Sequence, residues 1–430
     1  MIRALRCSVA VSLFAFLTGS AFAQPPRQLT LAQAEQLAIR NHPQIQAAQS
    51  LAFAAKEQVT QQRSAYYPVA YGSATAVDAE NNSRIAAGAL NNPIIYERYS
   101  NGFMVDQLIT DFGRTHNLVK SSNLHARAAQ EDVTTTREDV LMGVDEAYFG
   151  VLKAEAVLKV AQETVKERQL VSDQVTTLEQ NKIKSGLDVS FANVNLAQAQ
   201  LLLVQAQNGV EASYAQLSEA LGFPTEQTFE LADLPVPAAP PANFSTLLQE
   251  AFQNRPDLIS QRLEADSAHS YATAERDLWF PTISAAGAAG LTPTGADQLA
   301  PRYAAAGVNI NIPIFNGHLF GAERSEANYR ARAQDEHLRD LQDRVARDVR
   351  TAWLNANTSF QNLGLTDKLL NESNQALQLA QSRYRLGLSS IVELTEAQLN
   401  QTQAQIEQAS AKYDYQIATD QLNFQLGILK

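Results

Sequence analysis

Cysteine is almost missing: Cys7 is the only one among 430 residues. It precedes an apolar run near the amino terminus, so the chain beyond it has no disulfide, no thiol nucleophile and no cysteine metal ligand. Histidine is sparse too. His42, His116, His125, His269, His318 and His337 include no pair four residues apart and no HExxH, which removes the common helical zinc site. There is no nucleophile elbow and no phosphate-cradling glycine loop, so neither enzyme chemistry nor a cofactor is expected. With 3 methionines, His and Met are too sparse to suggest a built-in metal relay, although a heavy metal stays open as cargo. Charged residues make up 18% of the chain, below the roughly 25% of ordinary soluble domains. The net charge of −11 argues against nucleic acid as a partner. Beyond the leader, no stretch reaches the ~18 apolar residues of a transmembrane helix.

What is present begins with a leader. Arg3 and Arg6 form a basic start, Val9 to Leu17 an apolar run, and Ala21-Phe22-Ala23 a small-residue cleavage site before Gln24. Residues 1–23 therefore read as a secretory signal peptide, too short to be an anchor. Cys7 lies upstream of the apolar run, so it is not the acylated cysteine of a lipoprotein. Removing the leader takes the charge from −11 to −13.

The chain then occurs twice. Asn41, Pro43, Tyr66, Tyr67 and Pro68 recur 213 residues later as Asn254, Pro256, Trp279, Phe280 and Pro281. Asp111, Val140, Val144, Ala147, Tyr148 and Leu158 recur 205 residues later as Asn316, Val345, Val349, Ala352, Trp353 and Leu363. A repeat this long is not a solenoid unit. Each half reads helix, two strands, very long helix, turn, returning helix. The expected boundaries are a first repeat at 24–222 (helices about 29–66 and 113–221, hairpin about 68–110) and a Pro-rich linker at 223–243. A second repeat follows at 244–430 (helices about 244–279 and 318–427, hairpin about 281–315).

The long helices carry a 3.5-residue apolar period. Val349, Ala356, Leu363, Leu370, Leu377 and Tyr384 alternate with Val345, Ala352, Ser359, Thr366, Ser373 and Ala380. Val144, Val151, Leu158 and Val165 alternate with Val140, Ala147, Ala154 and Ala161. Large residues on one row and small ones on the other predict coiled-coil packing. The helices alone would also suit a periplasmic or surface coiled-coil scaffold without a pore.

The strands favour a pore. Val308, Ile310, Ile312 and Ile314 alternate with Asn309, Asn311 and Pro313, a ribbon with one greasy and one polar face. Residues 282–291, Val69 to Val77 and Phe103 to Ile109 are its expected companions, each about ten residues, the length that crosses an outer membrane at a tilt. Tyr66, Tyr67, Trp279 and Phe280 on the way in, with Phe112 and Phe315 on the way out, suit an aromatic belt at the membrane interface. Four strands cannot close, and lipid tolerates no open sheet edge. Copies must share a barrel, of eight strands from two chains or twelve from three.

The ordered set, seen twice, resembles the TolC-type outer membrane efflux proteins from about Leu29 to Leu429. Its carriers are the Asn-x-Pro openings, the aromatic-Pro steps into each hairpin and Ile314-Phe315-Asn316-Gly317 on the way out. The tips Lys184-Ser185-Gly186-Leu187 and Tyr384-Arg385-Leu386-Gly387-Leu388-Ser389 complete it. The resemblance implies a mainly α-helical fold with a β-barrel contribution. Each chain would supply one third of a homotrimeric helical tunnel topped by a twelve-stranded barrel in outer-membrane lipid. It implies tips that dock a periplasmic adaptor and an inner-membrane pump of RND, MFS or ABC type, and a linker in a belt around the tunnel. The duct would serve drugs, small toxic molecules or secreted protein.

Gly186 and Gly387 interrupt helical patterns where the backbone is expected to turn back. Beyond the second tip, Glu393 and Glu396 share a helix face. The resemblance implies that they line the narrowest point and favour cations, with mutual repulsion raising some of their pKa values. Some relatives latch the tip with Arg and Asp where Ser389 and Ala192 stand here, leaving Lys182, Lys184, Arg383 and Arg385 as candidate partners, with Asp188 of opposite sign. The polar loop from Asp78 to Ser100 and the shorter Thr292 to Arg302 are expected to face outside.

Overall fold

The computed structural model describes residues 28–77, 98–291 and 300–429. The leader and most of both external loops lie outside the described residues. In chain order the elements are β1 (Gln28–Leu29), α1 (Leu31–Asn41), α2 (Pro43–Arg63), β2 (Val69–Val77), β3 (Arg98–Thr110), α3 (Arg114–Gln180), α4 (Gly186–Ala220) and β4 (Glu230–Leu231). The second half supplies α5 (Phe244–Asn254), α6 (Pro256–Arg276), β5 (Thr282–Leu291), β6 (Arg302–Asn311), α7 (Leu319–Arg385) and α8 (Ile391–Leu426).

Three expectations need correction. The opening helices are not continuous. Proline lacks the amide that would continue the helix and pushes the residue before it out of the helical region. The chain therefore breaks at His42 (ψ 123°) and Arg255 (ψ 120°), and Pro43 and Pro256 begin new helices. Nor do the α-helices reach the expected bounds near residues 66 and 279, just before Pro68 and Pro281. The helices stop at Arg63 and Arg276, and short 3₁₀ turns, Ser64–Tyr66 and Asp277–Trp279, lead to the prolines. Finally, β6 ends at Asn311; Pro313 has no amide to extend the ladder, and Ile312 and Ile314 lie past the strand.

The helices α3 and α7 each run 67 residues, ~100 Å at 1.5 Å per residue. The helices form a wall one layer thick. Near the sheet α3 packs between α2 and α6, with α7 beyond α6; toward the other end α3 packs between α4 and α8, with α7 beyond α8. The apolar rows are buried where they meet, with Val144 and Val151 in one cluster and Val345, Val349 and Ala356 in another.

Midway, the linker is tied to both long helices through residues related by the 205-residue repeat. Tyr148 Oη donates to the Leu29 and Ala232 carbonyls at 2.9 and 2.6 Å. Trp353 Nε1 donates to the Pro241 carbonyl at 2.8 Å. Tyr214 donates to Phe229 at 2.7 Å and Tyr415 to the Ala238 carbonyl.

The sheet is antiparallel in the order β2-β3-β5-β6. Facing residues share a side of the sheet. One side carries Ala70, Phe103, Val105, Ile283, Ala285, Ala306, Val308 and Ile310, while the other carries Ser73, Asp106, Ser284, Asn309 and Asn311. On the polar side Tyr303 lies across two glycines: a Cβ at Gly102 or Gly290 would come within 2.0 or 2.5 Å of its hydroxyl. Each strand returns to its helix through consecutive left-handed residues, Phe112-Gly113 and Gly317-His318.

Candidate functional site at the helical tips

The two tips are built alike, in the 205-residue register. The first turns through Lys182 (φ 61°), and Ser185 caps α4; the second turns through Gly387 (φ 74°), and Ser390 caps α8. Gly387 occupies the left-handed region as its residue type suggests. Gly186 does not: it is the first residue of α4, and Lys182 takes the strained position instead. In this register Asp188 matches Glu393, each the third residue of its helix. Ser185 and Asp188 form a reciprocal capping box.

Ala192 is buried against Leu377 and Ala380, and the carboxylate that faces α7 is Asp188. Tyr384 Oη approaches Asp188 Oδ1 at 3.4 Å, while Lys184 Nζ lies 3.8 Å above the Tyr384 ring and 3.3 Å from its carbonyl. Burial opposes ionisation of Asp188, but hydrogen bonds from Ser185 and the Lys184 charge hold its pKa below the usual range. Burial, with Asp188 nearby, pushes the Tyr384 hydroxyl up to about 12, so it stays a donor. Of the other candidate partners, Arg383 pairs with Glu393 at 3.0 Å and Arg385 Nε reaches the Gln381 carbonyl at 3.4 Å. Ser389 Oγ is buried without a partner. Glu393 and Glu396 are both exposed. Ile183, Leu187, Leu386 and Leu388 crown the tips with exposed apolar side chains.

The six aromatics Tyr66, Tyr67, Phe112, Trp279, Phe280 and Phe315 gather where sheet meets helices, all exposed. Phe112 and Phe280 approach to 6.3 Å, and Trp279 meets Phe320 edge-on at 5.9 Å.

Two polar sites escaped the sequence reading. Arg168 is buried between α3 and α8. Extending the small-residue row Val140, Ala147, Ala154, Ala161 by seven lands on it, so an arginine at a core position was the available signal. At mid-height Asp145 of α3 is 1% exposed, and its Oδ1 has no hydrogen-bond partner. Burial first, then the charges of Asp420 and Glu35, push its carboxyl up to about 9. No sequence spacing marks this cluster, because α1, α3 and α8 each supply one acid. Among the described residues no group of acids and histidines is arranged to hold a metal ion.

The profile of the outer membrane efflux protein family matches residues 34–223 and 247–428. The chain belongs to that family. Family membership makes it a non-enzymatic transporter, an outer-membrane efflux or secretion channel of the TolC type. It is 25% identical to outer membrane protein TolC of Escherichia coli K12, covering 96% of this chain and 85% of TolC. It is 23% identical to the alkaline protease secretion protein AprF of Pseudomonas aeruginosa, covering 78% of this chain and 70% of that protein. The outer-membrane channel OprN shares the fold with a TM-score of 0.82 at 21% identity, covering 92% of this chain and 89% of OprN. Both halves of the efflux family profile fall on the duplicated wall, one on each side of the linker.

Proposed function

We propose that three copies of this chain close head to tail into an exit duct that receives cargo from a periplasmic adaptor and an inner-membrane pump of RND, MFS or ABC type. The observation that carries this reading is the pair of open sheet edges. Strands β2 and β6 have no neighbour beyond them among the described residues, and lipid does not tolerate such edges. The wall continues both. Leu51 and Phe53 on α2 and Val194 and Leu201 on α4 are exposed on one flank, Tyr329, Leu365 and Leu379 of α7 on the other. A heterologous contact whose rotation closes makes a ring; three four-stranded sheets make twelve strands, with the apolar side outward. The chain would reach the outer membrane through cleavage of residues 1–23, without acylation.

In this assembly the six exposed aromatics sit at the interface, and Lys184 to Leu187 with Arg385 to Ser389 form the docking end. Glu393 and Glu396 form the constriction, with six carboxylates around one axis favouring cations. Efflux of small molecules and secretion of protein both fit the duct, since relatives are named for toluene efflux and for alkaline protease secretion.

The test is conductance of the purified chain in planar bilayers, with heat-modifiable migration in detergent gels. A cation-selective pore is expected. Replacing Glu393 and Glu396 together by Gln should lower cation preference and relieve block by acid. Unchanged selectivity would remove the constriction assignment, and a detergent-free soluble monomer would remove the duct.

A further inference from the structure

The two halves of the wall repeat, but the corner where each returning helix meets its Asn-x-Pro break is filled differently. A Cβ at Gly222 would come within 3.0 Å of the Asn41 backbone, and one at Gly427 within 2.8 Å of the Arg255 amide nitrogen. In the second half Arg255 itself occupies the corner. Its side chain is 12% exposed and donates to Asp257 at 2.6 and 2.9 Å and to Gln425 Oε1 at 2.5 Å. The 213- and 205-residue offsets put His42, Gln44 and Ala220 in the places of Arg255, Asp257 and Gln425. These are smaller or uncharged, and a cavity of about 310 Å³ lies there between α2, α3 and α4.

Asp139, Glu146 and Glu219 line this cavity, with no lysine or arginine beside them. Glu146 accepts from Gln421 at 2.9 Å, whereas Asp139 and Glu219 have no hydrogen-bond or ion-pair partner among the described residues. His42, 8% exposed, lines the cavity as well. Its Nδ1 accepts from the Gln44 amide at 3.3 Å, so the neutral ring carries its proton on Nε2, and Nε2 has no partner among the described residues. Gln216 joins the cavity to a groove of about 410 Å³ that runs over Gly150 and Ala154 of α3 and Ala206 and Gly209 of α4. Lys153 at the groove is held by Asp414 at 2.6 Å. At 3.6 residues per turn, Gly143, Glu146 and Gly150 lie opposite Tyr148 on α3, and Gly209, Gln216 and Glu219 opposite Tyr214 on α4. Both tyrosines hold the linker, so cavity and groove open on the other face of the wall, the inner face of the duct.

We propose that cavity and groove together bind a small organic cation. Its guanidinium or ammonium head sits among Asp139, Glu146 and Glu219, held by charge-assisted hydrogen bonds. An acceptor oxygen near the head meets the His42 Nε2–H, and an apolar tail lies along the glycine and alanine groove. The combined volume is that of a site for a drug-sized molecule. Arg255 shows which charge this corner holds: the second half supplies its own guanidinium, and the first takes one from the cargo. Placement on the inner face rests on the duct reading above; the binding itself does not.

The probe is N-hexanoylagmatine, which joins a guanidinium, an amide carbonyl and an apolar tail; its uncharged urea isostere is the control. Binding is measured by isothermal titration calorimetry on detergent-solubilised assemblies of the full chain. The urea should bind about tenfold more weakly, the loss of one charge-assisted bond. Glu219→Gln should weaken the probe by about tenfold too and leave the urea as it was. His42→Arg, which carries the second half's guanidinium into the cavity, should abolish binding of the probe. Equal binding of probe and urea overturns the site, as does no binding at all, or binding that neither substitution changes. Binding lost on replacing Glu393 and Glu396 by Gln, and kept in Glu219→Gln, puts the cation at the tips and overturns it as well. If His42→Arg does not fold, Asp139→Asn with Glu219→Gln, both exposed positions, decides by the same criteria. A chain that binds the probe selectively but does not conduct in planar bilayers refutes the duct and leaves the binding site in place.

Discussion

Replacing Asp145 with Asn should stabilise this protein, and the gain should grow with pH. In the folded chain the carboxyl is pushed up to about 9, against an ordinary value of 3.8. Between those limits the folded state binds more protons than the unfolded one, so stability falls as pH rises. The loss accumulates at about 1.4 kcal/mol per pH unit, which bounds the penalty at ~4 kcal/mol at neutral pH. Glu35 and Asp420 are raised by the same burial and share the titration, so about half, ~2 kcal/mol, is expected from Asp145→Asn alone. Asparagine keeps the shape and stays neutral, and its amide can donate to Glu35. The assay is equilibrium denaturation of the detergent-solubilised assembly at pH 4, 7 and 8.5, followed by circular dichroism. The variant should match the parent at pH 4, exceed it at pH 7 and exceed it further at pH 8.5. Destabilisation at neutral pH, or a gain independent of pH, would refute the burial argument.

Gly387→Ala should cost about 1–2 kcal/mol, because an L side chain is strained at φ 74°. Lys182→Gly should cost nothing and can stabilise, because Lys182 already carries that strain at φ 61°; thermal melts of the two variants check the asymmetry. Tyr148→Phe takes the hydroxyl from the Ala232 carbonyl, while the Leu29 carbonyl keeps the Ala232 amide at 3.1 Å; it should cost about 1–2 kcal/mol. Limited proteolysis should then cut the linker at 223–243 sooner than in the parent.

Much of the architecture was legible because periodicity survives duplication. The rows through Val349 and Val144 appeared at a fixed offset, and a repeated weak signal is a strong one; the alternation at Val308 and Ile310 marked its strand by itself. The pairing of Tyr148 with Trp353 was visible as well, though not its purpose of strapping the linker. Local conformational competition was harder to read. The Asn-x-Pro repeat was seen, but proline's veto on its predecessor divides the helix there. Gly186 drew attention as a glycine near a turn, whereas the left-handed position fell to Lys182, since tip geometry is set by the cap at Ser185. Asp145 and Asp188 depend on side chains from distant segments, which no spacing along the chain reveals.

The open flanks of the sheet also constrain how the molecule can mature. Strand β2 has 9 residues and β6 has 10, and about half the backbone amides and carbonyls of an outermost strand point away from its sole neighbour. A solitary copy dissolved in hydrocarbon would leave on the order of twenty such groups bare, at several kcal/mol each. No stepwise route exists in which single copies first enter the bilayer and later find each other. Recruitment of companions and passage into lipid have to be one concerted event, with a rate that climbs steeply with the number of copies waiting at the membrane.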